Sequence, residues 1–263
     1  MSCTKIAYVS IKGGVGKTTN AIMTATNLAA RGYRVLYWDG DGNNSGTMFF
    51  TTGISGIADT IESKNTFEAL SHTNIANYAV HARIKNIDIV PSHLNIFKLR
   101  GIGYNELLRT LRTAEDNYDF IVIDTAPTYD NLVINAVLAA DVIITPIRFT
   151  SFDFSTAKFL QKQLYDDCPD KVEKWYLMYS TWEDRWTPFE DSMQSQFVRL
   201  FEKHFPHKIL EVHIPLAKAA VDYTQTDTKL STKSRIVGAR KLATEINKLV
   251  DMFTDKEDSV EIF

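Results

Sequence analysis

Two cysteines in 263 residues, Cys3 and Cys168, are too few and too far apart for a disulfide framework or a cysteine metal site, which fits a reducing compartment. The six histidines are scattered and build no metal cluster with them. No apolar run approaches the roughly 18 residues of a membrane-spanning helix. The opening MSCTKIAYVS runs straight into a strand-like segment, with no signal peptide. Positive charge is not in excess: 29 Lys and Arg face 32 Asp and Glu, for a net charge of -3, so any nucleic-acid contact must come from a local patch. Internal repeats, low-complexity tracts and a linker-like change of composition are also missing. What remains, 44% hydrophobic and 23% charged residues, suits a globular chain with a sizeable core. The expectation is a cytoplasmic protein with one domain over 1–253, followed by an acidic, frayed tail over 254–263.

Short apolar runs alternate with helical patterns. Strands are predicted at 5–10, 34–39, 86–92, 118–127, 141–148, 174–180 and 208–215. Helices are predicted at 19–32, 106–116, 131–140, 155–167, 193–205 and 239–253. Strands joined by helix-length crossovers pair in parallel. The fold class is therefore α/β, a doubly wound, mainly parallel sheet with helices on both faces. Residues 43–84, rich in Thr, Ser, Asn and Gly, carry no assignable pattern.

The first strand runs into SIKGGVGKTT, with a helix behind it, which is the context a phosphate loop needs. Glycines let backbone amides approach phosphate oxygens, and the helix N-terminus adds positive potential. Gly13, Gly14, Val15, Gly16, Lys17, Thr18 and Thr19 form the candidate cradle. Lys17 would reach the β- and γ-phosphates and the Thr18 hydroxyl would ligate Mg²⁺. The ordinary Walker A pattern needs a glycine where Ile11 stands. The chain fits instead Lys-Gly-Gly-x-Gly-Lys-Thr-Thr, whose chance occurrence is on the order of one in a million per chain. Two carboxylates, Asp39 and Asp41, close the second strand in YWDGDGNN, and FIVIDTAP ends another strand on Asp124. Carboxyl ends of strands are where α/β sheets bind ligands, and a strand-terminal Asp is the Walker B arrangement for Mg²⁺. Ser10 and Ser45 have no His/Asp partners in view, and Tyr8, Tyr33 and Tyr37 read as packing.

KGGVGKTT resembles the deviant Walker A loop of the ParA/MinD family of P-loop ATPases, and the similarity extends over most of the chain. The resemblance implies ATP and Mg²⁺ as ligands and a homodimer formed on ATP binding. Lys17 would serve its own nucleotide, while the extra lysine, Lys12, would cross the dimer interface to the partner's phosphates. Asp41 would position the attacking water, and Asp39 would lie near Mg²⁺. The family's Asp-x-Asp-Pro-Gln is here Asp39-Gly40-Asp41-Gly42-Asn43, a looser backbone that implies altered turnover.

Among the family's branches, the iron protein needs bridging cysteines that Cys3 and Cys168 do not match. The MinD branch needs a basic amphipathic C-terminal helix, whereas this chain ends in acidic residues. A membrane-associated MinD-like ATPase and a ParA-like positioner of a protein cargo are the alternatives. The leading expectation is the ParA/Soj branch: DNA partition, with non-specific DNA and a centromere-binding ParB-like protein as partners, no membrane, and nucleoid association in the ATP state. Arg185 matches a DNA-contacting arginine of that branch. The family's IPRNVRL is replaced by IPLAKAAV, which leaves Lys218; Lys233 and Arg235, with Lys229, Arg240 and Lys241, offer a further basic cluster. The adenine site is expected near Ser180 and Pro215. No helix-turn-helix segment precedes the first strand, so operator recognition is not expected.

Overall fold

Backbone pairing places the glycine loop at the middle of the sheet. The computed structural model describes residues 3–99, 101–186, 191–215 and 233–254, the side chains of 186 and 233–238 excepted. In chain order the strands are β1 (Thr4–Tyr8), β2 (Val35–Gly40), β3 (Val80–His81), β4 (Ile87–Val90), β5 (Phe120–Thr125), β6 (Val142–Ile147), β7 (Trp175–Trp182) and β8 (Ile209–Pro215). The described α-helices are α1 (Lys17–Ala30), α2 (Ser45–Thr51), α3 (Ile57–Ser63), α4 (Thr66–Ser71), α5 (Glu106–Arg112), α6 (Asn131–Ala139), α7 (Ser151–Asp167), α8 (Met193–His204) and α9 (Lys233–Asp251). The sheet order is β3-β4-β2-β5-β1-β6-β7-β8, parallel except where β3 pairs antiparallel with β4. The doubly wound, mainly parallel reading holds.

β1 has a parallel neighbour on each side, β5 and β6. The chain leaves β1 toward β2, beyond β5, and later builds β6 to β8 on the opposite side. That reversal opens a crevice at the carboxyl edge beside β1, where α/β sheets take their ligands. Strand alternation then sorts the core. Ile6 and Tyr8 pack with residues of α1, α2 and α9 on one face, while Ala7 and Val9 pack with residues of α4 to α8 on the other.

Some boundaries differ from expectation, for local reasons. α1 starts at Lys17 rather than 19, because the turn closes on Gly16 in the left-handed region. α7 starts at Ser151 rather than 155, because Thr150 caps it by accepting from the Asp153 amide. α9 begins at Lys233 rather than 239. The unassigned stretch 43–84 holds α2, α3, α4 and the two-residue β3, elements too short to show a period in the sequence. The acidic tail from 255 onward lies outside the described residues.

α9 is tied to α1 by a buried guanidinium. Arg31 donates to Asp251 Oδ1 at 2.6 Å, to Asn247 Oδ1 at 3.0 Å and to Asn27 Oδ1 at 2.8 Å. Leu242, Ile246, Leu249 and Val250 seal the same contact.

Candidate functional site

The loop between β1 and α1 is built for an anion. Gly14 and Gly16 have φ of +71° and +97°, which side-chain-bearing residues rarely adopt. A Cβ on Gly16 would sit 3.1 Å from Asn20 Nδ2 and 3.2 Å from Ser180 Oγ. α1 starts with no side-chain cap and no acidic residue in its first turn, unlike α6, α7 and α8, which Asp130, Thr150 and Ser192 cap. Its first amides and its dipole are therefore left for a ligand. Lys17 is 6% exposed and its Nζ donates to Lys12 O at 3.4 Å. Burial lowers its pKa, against the pull of Asp124 and Asp41.

The carboxylates meet this loop from two neighbouring strands. Asp39 and Asp124 are register partners on β2 and β5, both fully buried. Asp39 Oδ2 accepts from the Thr47 amide and hydroxyl, both at 2.7 Å, and Oδ1 accepts from the Asp41 amide at 3.2 Å. These three donors make Asp39 the organiser of the loop that carries Asp41. Asp124 accepts from Tyr37 Oη at 3.2 Å, and the Thr18 side chain lies close enough to favour its charged form. Its Oδ1 is buried with no hydrogen-bond partner. Burial, reinforced by Asp39, raises the Asp124 pKa to about 7. Burial also raises that of Asp39, to about 6, against its hydrogen bonds from Thr47. An uncommitted carboxylate oxygen beside a threonine hydroxyl and a phosphate-ready loop fits Mg²⁺, which takes few protein oxygens and keeps others for water and phosphate. Among the described residues no three His, Cys, Asp or Glu converge as a protein-only metal site. Tyr37, read as packing from sequence, is thus also a donor to the Asp124 carboxylate. A buried phenol needs a partner, but the sequence does not say which.

Asp41 follows β2 and is partly exposed; the Asn43 amide donates to its Oδ1 at 3.0 Å. Gly42 lies under a ring: a Cβ there would be 2.4 Å from Phe97 Cζ.

Lys12 lies at the outer edge of the loop, 26% exposed on its side chain. Its Nζ is 2.5 Å from Asp153 Oδ2 and 3.3 Å from Thr150 Oγ1. Asp153 is 1% exposed and also accepts from the Thr150 hydroxyl. The extra lysine is therefore held by its own chain. Thr150-x-x-Asp153 is a capping pattern that local sequence can carry; its link to a lysine 141 positions away is not carried there.

Of the candidate DNA residues Arg185, Lys218, Lys233 and Arg235, only Arg185 has a described side chain. Arg185 is exposed at 70% of its side chain and pairs with Glu183 Oε2 at 2.6 Å. Lys218 lies outside the described residues, and Lys233 and Arg235 open α9 with their side chains outside the description. Ser180, expected near adenine, does border the loop at Gly16, and Pro215 ends β8 at the same edge. No described helix is long and apolar enough to cross a membrane. Cys3 and Cys168 are both buried free thiols.

This fold and edge define a class. A family model described as an AAA domain, AAA_31, matches residues 3–165, from β1 into α7. The chain belongs to that family, and the ParA/MinD-type P-loop ATPase resemblance of its glycine loop is borne out by the relatives. A virulence plasmid ParA family protein of Chlamydia psittaci, pGP5-D, is 29% identical over 220 residues, 80% of this chain and 79% of that protein. A Borrelia burgdorferi B31 protein bound to AMPPNP, described as a candidate plasmid partition protein, superposes with a TM-score of 0.74 at 22% identity over 96% and 98% of the two chains. The structure of pNOB8 ParA bound to nonspecific DNA gives a TM-score of 0.67 at 24% identity over 97% and 100%. At those identities the two structures establish the shared fold.

Proposed function

We propose that this chain is a partition ATPase whose ATP-bound homodimer binds DNA without sequence preference and is switched by a centromere-binding ParB-like partner. The observation that carries the reading is the convergence at one edge of a buried Lys17, an uncapped helix and the unpartnered Asp124 oxygen. The loop amides and Lys17 hold the phosphates. Thr18 and Asp124 hold Mg²⁺, which when bound offsets the charge that develops on the phosphates. Asp39 sets the loop through Thr47 and the Asp41 amide, and Asp41 orients the attacking water. Lys12 leaves Asp153 and crosses to the partner's phosphates, so dimerisation follows ATP. Support for DNA as the track comes from the plasmid relative and from the DNA-bound neighbour. With a net charge of -3, the contact is a local basic face, and phosphate contacts alone make it salt-sensitive and sequence-independent. In cells the ATP form would then associate with the nucleoid.

The test is binding to a random-sequence duplex with no nucleotide, ADP or ATP, for wild type and Asp41→Ala. Binding only with ATP, persisting in the variant and falling at least tenfold between roughly 50 and 200 mM salt, is expected. ATP-dependent dimers that bind no DNA in any state would sink the DNA role and shift the weight to a protein cargo or a membrane.

A further inference from the structure

Arg148 stands one residue beyond β6, where the strand meets the glycine loop, and the motif reading gave it no task. Its Nη2 donates to the Gly14 carbonyl, and a Cβ on Gly14 would lie 3.3 Å from that same nitrogen. Its Nε is buried with no partner, so the Gly14 carbonyl is the bond that defines where this guanidinium points. Two and five residues further on, Thr150 and Asp153 hold Lys12. The β6–α7 turn therefore grips the loop at 12 and at 14, on the side away from the Asp124 carboxylate.

Peptide geometry gives this grip a consequence. The Gly14 carbonyl and the Val15 amide belong to one planar trans peptide, so they point in opposite directions. Anchoring the carbonyl outward to Arg148 aims the Val15 N–H into the cradle, where a phosphate oxygen would accept it. Gly14 has no Cβ and sits at φ +71°, so little in its own residue fixes that peptide plane; the restraint comes from the guanidinium. We propose that Arg148 is a positioning residue for nucleotide: it presets the Gly14–Val15 peptide for the β-phosphate, without itself touching the ligand. The proposal rests on the nucleotide-site reading above. Because the β-phosphate is common to ADP and ATP, it affects both alike.

The test is the dissociation constant of a fluorescent ADP for wild type, Arg148→Met and Arg148→Lys, each with a thermal melt of the ligand-free protein. Arg148→Met keeps the apolar stem and removes the donor, so ADP binding is expected to weaken about tenfold or more, the scale of a charge-assisted hydrogen bond. Arg148→Lys restores one donor and is expected to recover most of the loss, with all three melts within a few degrees. The same loss is expected for ATP. Wild-type affinity in Arg148→Met, or an Arg148→Lys protein as weak as Arg148→Met, would overturn the positioning role and leave the nucleotide site standing. Wild type that binds neither ADP nor ATP would overturn the site reading itself, and this role with it.

Discussion

Replacing Asp124 by Asn should make the ligand-free protein more stable while removing the carboxylate proposed to hold Mg²⁺. Asp124 is fully buried, and its pKa is raised to about 7 from an ordinary 3.8, chiefly by burial and then by Asp39. Between those values the folded chain keeps a proton that the unfolded chain has released. Folded protein thus binds more protons, and stability falls as pH rises through that window. About three pK units at 1.36 kcal/mol each amount to about 4 kcal/mol of destabilisation above pH 7, and about 1.5 kcal/mol at pH 5. Asparagine does not ionise and can still accept from Tyr37. Asp124→Asn should therefore gain about 4 kcal/mol at pH 8, on the order of 10 °C in melting temperature for a chain of this size, and far less at pH 5. The assay is thermal or urea unfolding of metal-free, nucleotide-free protein at pH 5, 6.5 and 8. A variant no more stable than wild type at pH 8, or a gain that does not change with pH, would refute the reasoning. If Asp124 holds Mg²⁺ as proposed, adding Mg²⁺ and nucleotide should reverse the ranking, since only wild type keeps the carboxylate that would gain from the metal.

Lys12→Ala leaves the Asp153 carboxylate buried without its ammonium and should cost about 2 kcal/mol in urea unfolding; Asp153→Asn in the same chain should restore most of it, because both charges are then gone. Sedimentation with ATP should show both variants monomeric, which separates the proposed cross-subunit role of Lys12 from its role in stability. Arg31→Ala should cost about 3 kcal/mol, because it strips the guanidinium that joins α9 to α1 and leaves Asn27 and Asn247 with lost partners. Hydrogen exchange should show the loosening concentrated in α9, with the β1–α1 loop protected as before; equal loosening throughout the sheet would count against this docking role.

The sequence by itself determined the parallel sheet, its helical crossovers and the phosphate loop. Each is written in local periodicity or in contiguous residues: apolar runs such as 120–123, and a glycine pattern that closes a strand and opens a helix. The order of motifs along the chain also brought Asp39, Asp41 and Asp124 into one site, since carboxyl ends of parallel strands share an edge. Tertiary structure alone decided how the acids divide their work. Asp39 and Asp124 look alike as strand-terminal carboxylates and are equally buried, and only their hydrogen-bond partners separate the one bound by Thr47 from the one with a bare oxygen. The same holds for the cations. The place of Lys12 on Asp153 and of Arg148 on Gly14 depends on β6 lying beside β1, a pairing between segments some 136 positions apart. Hydrogen bonds and ion pairs act over a few ångströms in space, so a chain pattern that sets helix and strand through neighbouring residues carries no direct record of them.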